Sequence, residues 1–206
     1  MTKILRTKYK ASRKLLTDIW GRAKDSLKKR NYKPGQHGKR MYVVLSDYGI
    51  HFKEKQKVKA HYGRVSEKQI KRYFNKAKNS KGNTATNFFS SLERRLDVVV
   101  YRANLALTIF GARQLVSHKH IRVNDKMVNI ASYSLNPNDV ISLSDKASRF
   151  NFISDSLDNK ERIVPDYIEL DKKNKKAKLL NLVEDPSEVP FPFKLDFNLV
   201  IEYYSR

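Results

Sequence analysis

LERRLDVVVYRANLALTIFGARQLVSHKHIRVNDKMVNIASYSLNPNDVISL, residues Leu92 to Leu143, is the stretch that decides how this chain folds. Leu92, Leu96, Val99, Val100 and Ala103 continue an apolar stripe begun at Phe88 and Phe89, which predicts one helix from about Thr86. Asn104 is its expected end, because Asn accepts the left-handed backbone better than any residue but Gly. Thr108 caps a second helix, with Ala112, Leu115 and Val116 inward and Arg113 outward. Ile121–Val123 and Lys126–Val128 flank Asn124-Asp125, a hairpin signal weaker than Asn-Gly because Asp is less comfortable at positive φ. Pro137-Asn138-Asp139 turns into a strand at Val140–Leu143. Arg95 and Arg102, seven apart, share a helix face with Arg94 beside them. Arg95 and Arg113 read as charges removable without hollowing the core. A basic helix pair with a hairpin can grip folded RNA without catalytic apparatus.

The charge balance agrees. There are 43 Lys and Arg against 21 Asp and Glu, a net +22. Residues 1–80 hold 24 basic and 5 acidic side chains, whereas residues 151–206 hold 9 and 11. Such asymmetry points to a polyanion bound mainly by the N-terminal half. Self-repulsion at that density opposes compaction unless counter-charge is supplied. Nucleic acid supplies it and releases condensed counterions on binding.

Further out from the central stretch, residues 1–45 read as an arm, sparse in apolar residues and bent at Pro34-Gly35-Gln36-His37-Gly38. Such an arm would be poorly ordered alone and would order against RNA. Tyr9, Trp20, Tyr32 and Tyr42 interleave with its Lys and Arg, as stacking on bases or riboses would need. A small local core is an equal account of Trp20. Ser66-Glu67-Lys68-Gln69 fits a capping box opening a helix. Ile70, Tyr73, Phe74 and Ala77 then form one packed face, and Lys68, Lys71, Arg72, Lys76 and Lys78 fill the others. In the tail, Tyr167–Leu170 and Leu179–Val183 flank the Lys-rich run 172–178 and read as an exposed hairpin whose charge is mostly solvated. Val189–Phe193 is extended by its prolines, and Leu199–Tyr204 reads as a final strand.

Catalytic patterns are missing from the sequence. The five histidines, His37, His51, His61, His118 and His120, form no zinc pattern, and there is no cysteine. Neither GxGxxG nor GxxxxGK[ST] occurs. Arg95-Leu96-Asp97 is similar to the RLD of RNA pseudouridine synthases, but on this helix Asp97 can simply pair with neighbouring arginines. No metal, no cofactor, no small-molecule substrate and no enzymatic activity are expected. No apolar run approaches the ~18 residues of a membrane span.

Several strings together resemble the family of small-subunit ribosomal protein S4. They are Asn31 to Gly38 (NYKPGQHG), Ser46 to Gly49 (SDYG), Lys53 to Lys57 (KEKQK), Tyr62-Gly63 and Gly82-Asn83-Thr84. Leu92 to Asp97 with Tyr101-Arg102, Ala112 to His118 (ARQLVSH), Ile130 to Tyr133 and Tyr204-Ser205-Arg206 also fit, so the match covers nearly the whole chain. The resemblance implies an α+β chain in three parts. Residues 1–94 would be a basic arm and helical rRNA-binding domain. Residues 95–157 would be an S4-type RNA-binding module of two short helices plus antiparallel strands. Residues 158–206 would be a C-terminal β hairpin and closing strand.

The same resemblance implies a structural constituent of the small ribosomal subunit that binds 16S-type rRNA, nucleates assembly and influences translational accuracy beside ribosomal protein S5. Carried over onto matching positions, the RNA-binding candidates are Arg95, Arg113, Gln114, Ser117, His118 and Lys119. Family motif and charge add His37, Lys55, Lys57 and Arg72. Arg and Lys suit phosphates, while Gln, Ser and His can bond 2′-hydroxyls or bases. The cytoplasmic ribosome is the expected location. A mitochondrial ribosome is the alternative, because the chain is acid-poor as far as Asp18. The family usually has Gly at the positions of Asn104, Asp125 and Asn138, so those turns should persist at some cost in stability. Two other classes compete. An S4-bearing RNA-modifying enzyme would need a further catalytic domain, and a general nucleic-acid chaperone would bind without sequence preference.

Overall fold

The computed structural model describes residues 10–39, 44–159 and 162–205. Tyr9 and Tyr42 of the arm, its first nine residues, and Arg206 of the terminal motif lie outside them. The chain forms two units, one built from residues up to Lys71 together with Phe191 onward, the other from Arg72 to Pro190. The fold is α+β.

The first unit begins with α1 (Lys10–Leu15) and α2 (Ser26–Lys29). The Asp25 carboxylate joins them, accepting from Ser12 Oγ at 2.8 Å and from the Leu27 amide at 2.7 Å. Ile19 and Trp20 are buried, and the indole N–H donates to the His61 carbonyl at 3.4 Å. Of the two accounts of Trp20, local core is the one observed. Arg13 stands 4.9 Å from the Tyr32 ring, so that aromatic is engaged within the chain. At the Pro34–Gly38 bend, a Cβ on Gly38 would lie 1.9 Å from the Lys33 carbonyl oxygen, which requires glycine there.

Helix α3 (Asp47–His61) has no counterpart in the sequence reading. Ser46 caps it, its hydroxyl accepting from the Gly49 amide. Its buried side chains include His51, Glu54, Lys55, Lys57 and His61, so no apolar stripe marks it in the sequence. Helix α4 (Glu67–Lys78) runs as its spacing predicts, and the Ser66 carbonyl accepts from the Gln69 and Ile70 amides. Ile70, Phe74 and Ala77 are buried; Lys68, Lys71, Arg72, Lys76 and Lys78 are exposed. The boundary between the two units falls within this helix.

In the second unit, the single helix expected from Thr86 to Ala103 is two, α5 (Thr84–Glu93) and α6 (Leu96–Arg102). Arg95 sits between them in extended backbone, at ψ 136°. The break has a cause in hydrogen bonding. The Leu96 and Asp97 amides, which open α6, donate to the carbonyls of Tyr133 and Ala131 instead of back into α5. Phe88, Phe89, Leu92, Leu96 and Val99 are fully buried; each such side chain contributes about 1.5–3 kcal/mol. Helix α7 (Ile109–Ser117) is capped by Thr108, whose hydroxyl accepts from the Gly111 amide at 2.9 Å. Strands β1 (Ile121–Val123), β2 (Lys126–Met127) and β3 (Val140–Leu143) follow, then α8 (Asp145–Ser148) and α9 (Asn151–Leu157).

The tail hairpin is β4 (Ile168–Asp171) and β5 (Lys176–Leu179). It is not free-standing: the antiparallel sheet runs in the order β2-β1-β3-β5-β4. The second strand starts inside the Lys-rich run, because alternation buries Ala177 and Leu179 while Lys176 stays exposed. Asn104, Asn124, Asp125 and Asn138 all have positive φ, at 56°, 47°, 63° and 71°. The turns that Gly would make are therefore kept by Asn and Asp.

The closing strand expected at Leu199–Tyr204 is instead helix α10 (Phe197–Ser205). Its β-branched and aromatic content favours a strand, but packing overrides propensity. The Asp196 carboxylate accepts from the Asn198 and Leu199 amides, which opens the helix. The helix packs on α3, where Tyr203 meets the Tyr48 and Phe52 rings, while Tyr204 Oη donates to Glu67 of α4 at 3.0 Å and Val200 is fully buried.

Candidate nucleic-acid interface

The sequence-predicted residues divide between the two units. In the second unit, Arg95, Arg113, Gln114, Ser117, His118 and Lys119 gather around Asp97 and the C-terminal turn of α7. Asp97 is fully buried. It receives the Arg95 guanidinium through two bonds, Nε to Oδ1 at 3.0 Å and Nη2 to Oδ2 at 2.9 Å, and Arg113 Nε at 3.0 Å. Arg95 also donates to Tyr73 Oη at 3.1 Å. Burial disfavours the Arg95 charge, yet the Asp97 carboxylate outweighs it and holds the guanidinium above its ordinary pKa.

Arg95 is only 3% exposed, so its expected role as a removable surface charge is corrected. It is an internal ion-pair partner at the start of α6. Arg102 likewise does not share an outer face with it. Arg102 is buried and pairs bidentately with Glu93 at 3.0 and 2.9 Å, where Tyr167 Oη also donates at 2.9 Å. Arg94 ties the same region to the loop after the hairpin, through Nε to the Leu135 carbonyl and Nη2 to Asn136 Oδ1. The RRLD string is thus mainly a frame for residues 131–136. A single sequence does not show that, because Arg reads as surface charge unless its carboxylate partner is located.

What the frame presents is the end of α7. Gln114, His118 and Lys119 are exposed, and Ser117 is half-buried with its hydroxyl donating to the Arg113 carbonyl. Lys119 has φ +61° and follows the helix end, where a cation also complements the helix dipole. His120, held below its ordinary pKa by burial and then by His118 and Lys146, stacks edge-on against Phe150 at 5.3 Å. The surface therefore offers one cation, an amide and an imidazole side by side at the helix end. That combination suits phosphate plus 2′-hydroxyl or base contacts.

In the first unit the candidates are placed differently. Lys55 is buried, bonded to Glu67 Oε1 and Tyr203 Oη at 3.2 Å each, with its ammonium 4.6 and 4.4 Å from the Phe52 and Tyr203 rings. Lys57 is buried against Glu54 and the Lys194 carbonyl. Both positions thus hold α3 and its neighbours together through internal neutralisation. His37 is exposed at the Pro34–Gly38 bend. Arg72, the first residue of the second unit, is exposed on α4, beside Lys71 and one turn from Lys68 and Lys76. Those lysines occupy the cationic faces that the helical spacing predicts. Among the described residues no group of three or more His, Cys, Asp or Glu could hold a metal ion, and no helix is long and apolar enough to cross a membrane.

Residues 3–93 match the family described as "Ribosomal protein S4/S9 N-terminal domain", and residues 94–141 match "S4 domain". The chain is 49% identical to "Small ribosomal subunit protein uS4" of Rickettsia felis (strain ATCC VR-1525 / URRWXCal2), over all 206 residues and the whole of that protein. It is 48% identical to the proteins of the same name from Rickettsia canadensis (strain McKiel) and Orientia tsutsugamushi (strain Boryong), again over the full length of both chains.

Proposed function

Because the chain belongs to the uS4 family of small ribosomal subunit proteins, we propose that it binds small-subunit, 16S-type rRNA directly, nucleates subunit assembly and contributes to translational accuracy. It is a structural ribosomal protein, not an enzyme. The binding module in this reading is residues 95–157, preceded by a helical rRNA-binding part and followed by the tail. Its neighbours in the subunit include ribosomal protein S5, and its ribosome is the cytoplasmic one.

The observation that carries the reading is the exposed Gln114–His118–Lys119 surface at the end of α7, held rigid by Asp97 and its two arginines. Within that reading, Gln114, Ser117, His118 and Lys119 meet RNA, and Arg113 reaches it from its Asp97 anchor. Exposed Arg72 and His37 extend the contact, while Arg95, Lys55 and Lys57 act by holding the framework. Chemical footprinting of the full-length protein on small-subunit rRNA tests this. A discrete set of protected nucleotides is expected, part of it lost in a Gln114→Ala, His118→Ala, Lys119→Gln variant. Protection spread evenly along the RNA, or unchanged in that variant, would overturn the reading.

A further inference from the structure

A groove in the first unit lies between α1, the Lys33–Pro34 bend and α3, and encloses about 680 Å3. Among the described residues six cations line it, Lys10, Lys14, Lys33, Lys53, Lys59 and Arg64, and no carboxylate does. Its floor is apolar, with Leu15, Leu16 and Phe52 among the lining side chains. We propose that this groove holds a single unpaired nucleotide of the RNA, its base on the apolar floor and its phosphates on the rim lysines. The proposal rests on the rRNA-binding reading and gives it a defined subsite.

Charge decides the class of occupant. Lys59 is neutralised by Glu67 at 3.0 Å, but Lys10, Lys14 and Lys33 make no ion pair among the described residues. Lys53 is held below its ordinary pKa by burial and then by Lys57, with Lys33 adding to the effect against a partial offset from Glu54. Cations crowded in this way repel one another, and a bound polyanion removes that cost.

The floor decides between a nucleotide and a stretch of backbone phosphates. Phosphates alone would need only donors, yet Leu16 is 42% exposed and lines the groove. Its φ is +50°, a conformation that costs a leucine about 1–2 kcal/mol and suits Asn or Gly. An aliphatic side chain kept exposed on such a backbone is what a base face could cover. Phe52, 38% exposed, adds a ring to the same floor. The volume lies in the ~300–1,000 Å3 range that encloses small organic ligands, and it admits one nucleotide but not a duplex.

The test uses the full-length chain and a transcript of small-subunit rRNA, with filter-binding affinity and base-specific chemical probing as readouts. Leu16→Asn removes the floor while suiting the backbone, so its melting temperature should not fall. It should weaken binding roughly tenfold, as the loss of one stacked base does, and re-expose one unpaired base while other protections persist. The rim variant Lys10→Gln, Lys14→Gln, Lys33→Gln should re-expose the same base. If Leu16→Asn leaves affinity and every protected base unchanged, the subsite is refuted. A rim variant that weakens binding without re-exposing a base also refutes it, in favour of backbone contacts. A photocrosslink from position 16 in assembled subunits that reaches an acidic protein segment instead of RNA refutes it too. If the parent chain protects no base at all, the rRNA reading falls together with it; loss of a single base in the variants separates the two.

Discussion

The arginines around Glu93 and Asp97 and the polar side chains at the end of α7 belong to the same short stretch of sequence, yet the fold uses them in opposite ways. Arg95 and Arg102 are buried, each held bidentately by a carboxylate. Gln114, His118 and Lys119, at most 24 residues further on, face solvent. The first unit repeats the contrast: Lys55 and Lys57 are internal, while Lys68 and Lys71, on its part of α4, are exposed. The net charge of +22 therefore overstates the charge offered to RNA. Paired cations such as Arg95, Arg102 and Lys57 are engaged within the fold, and the exposed cations are the ones available to a polyanion.

The contrast can be broken most severely at Arg102. Arg102→Gln strips the buried Glu93 of its bidentate partner. A loss of about 3–5 kcal/mol is expected, read as a drop in the midpoint of urea unfolding. At low temperature, where the variant is still folded, its rRNA affinity should stay near that of the parent. A stable variant with weak RNA binding would reverse the assignment of this residue.

The opposite pattern is expected at the α7 end. Gln114→Ala, His118→Ala, Lys119→Gln should weaken rRNA binding tenfold or more, since hydrogen bonds to charged groups are worth ~1.5–3 kcal/mol each. The melting temperature should be unaltered, because these side chains are exposed. Equal losses of affinity and stability would mean that the turn, not its surface, had been damaged.

A pH titration sharpens the comparison within the first unit. Burial alone would raise the Glu67 pKa, but hydrogen bonds from Lys59, Tyr204 and Lys55 outweigh it and hold the carboxyl below its ordinary value. The folded pKa is thus depressed, so the stabilisation is fully present above the ordinary carboxylate range, about pH 4.3, and is lost as pH falls through the folded value. Glu67→Gln should lower the melting temperature modestly near neutral pH and make the acid limb shallower. An acid limb identical to the parent's would remove Glu67 from the account. The smallest effect is expected at Asp125, whose φ of 63° suits Gly better. Asp125→Gly should stabilise the domain by up to ~1 kcal/mol, and a clear fall in melting temperature would contradict the turn geometry.

Much of the second unit was legible because local signals agreed with tertiary packing. Thr108 caps α7, Asn104 ends α6, and Asn124-Asp125 turns the hairpin, all at the positions that side-chain chemistry predicts. What escaped the sequence was decided by distant partners. The break at Arg95 depends on the carbonyls of Ala131 and Tyr133, more than 30 residues away. Helix α3 has no apolar stripe because it buries Lys55, Lys57 and Glu54 in ion pairs. Helix α10 carries strand-like residues and is a helix because it packs on α3, with Tyr203 against Tyr48 and Phe52 and Tyr204 bonded to Glu67 of α4. For the interface, the resemblance to the S4 family pointed to the α7 end, whereas burial separated Arg95, Lys55 and Lys57 from it.

The central claim is that exposed cations, and not the paired ones, bind rRNA. The salt dependence of rRNA affinity for the parent and for Arg72→Gln, Lys76→Gln, Lys119→Gln tests it most directly. Each phosphate contact contributes roughly 0.7–0.9 to the slope of log affinity against log salt. The account predicts a slope shallower by about 2–3 units in the variant, with an unchanged melting temperature. A slope equal to the parent's would contradict it.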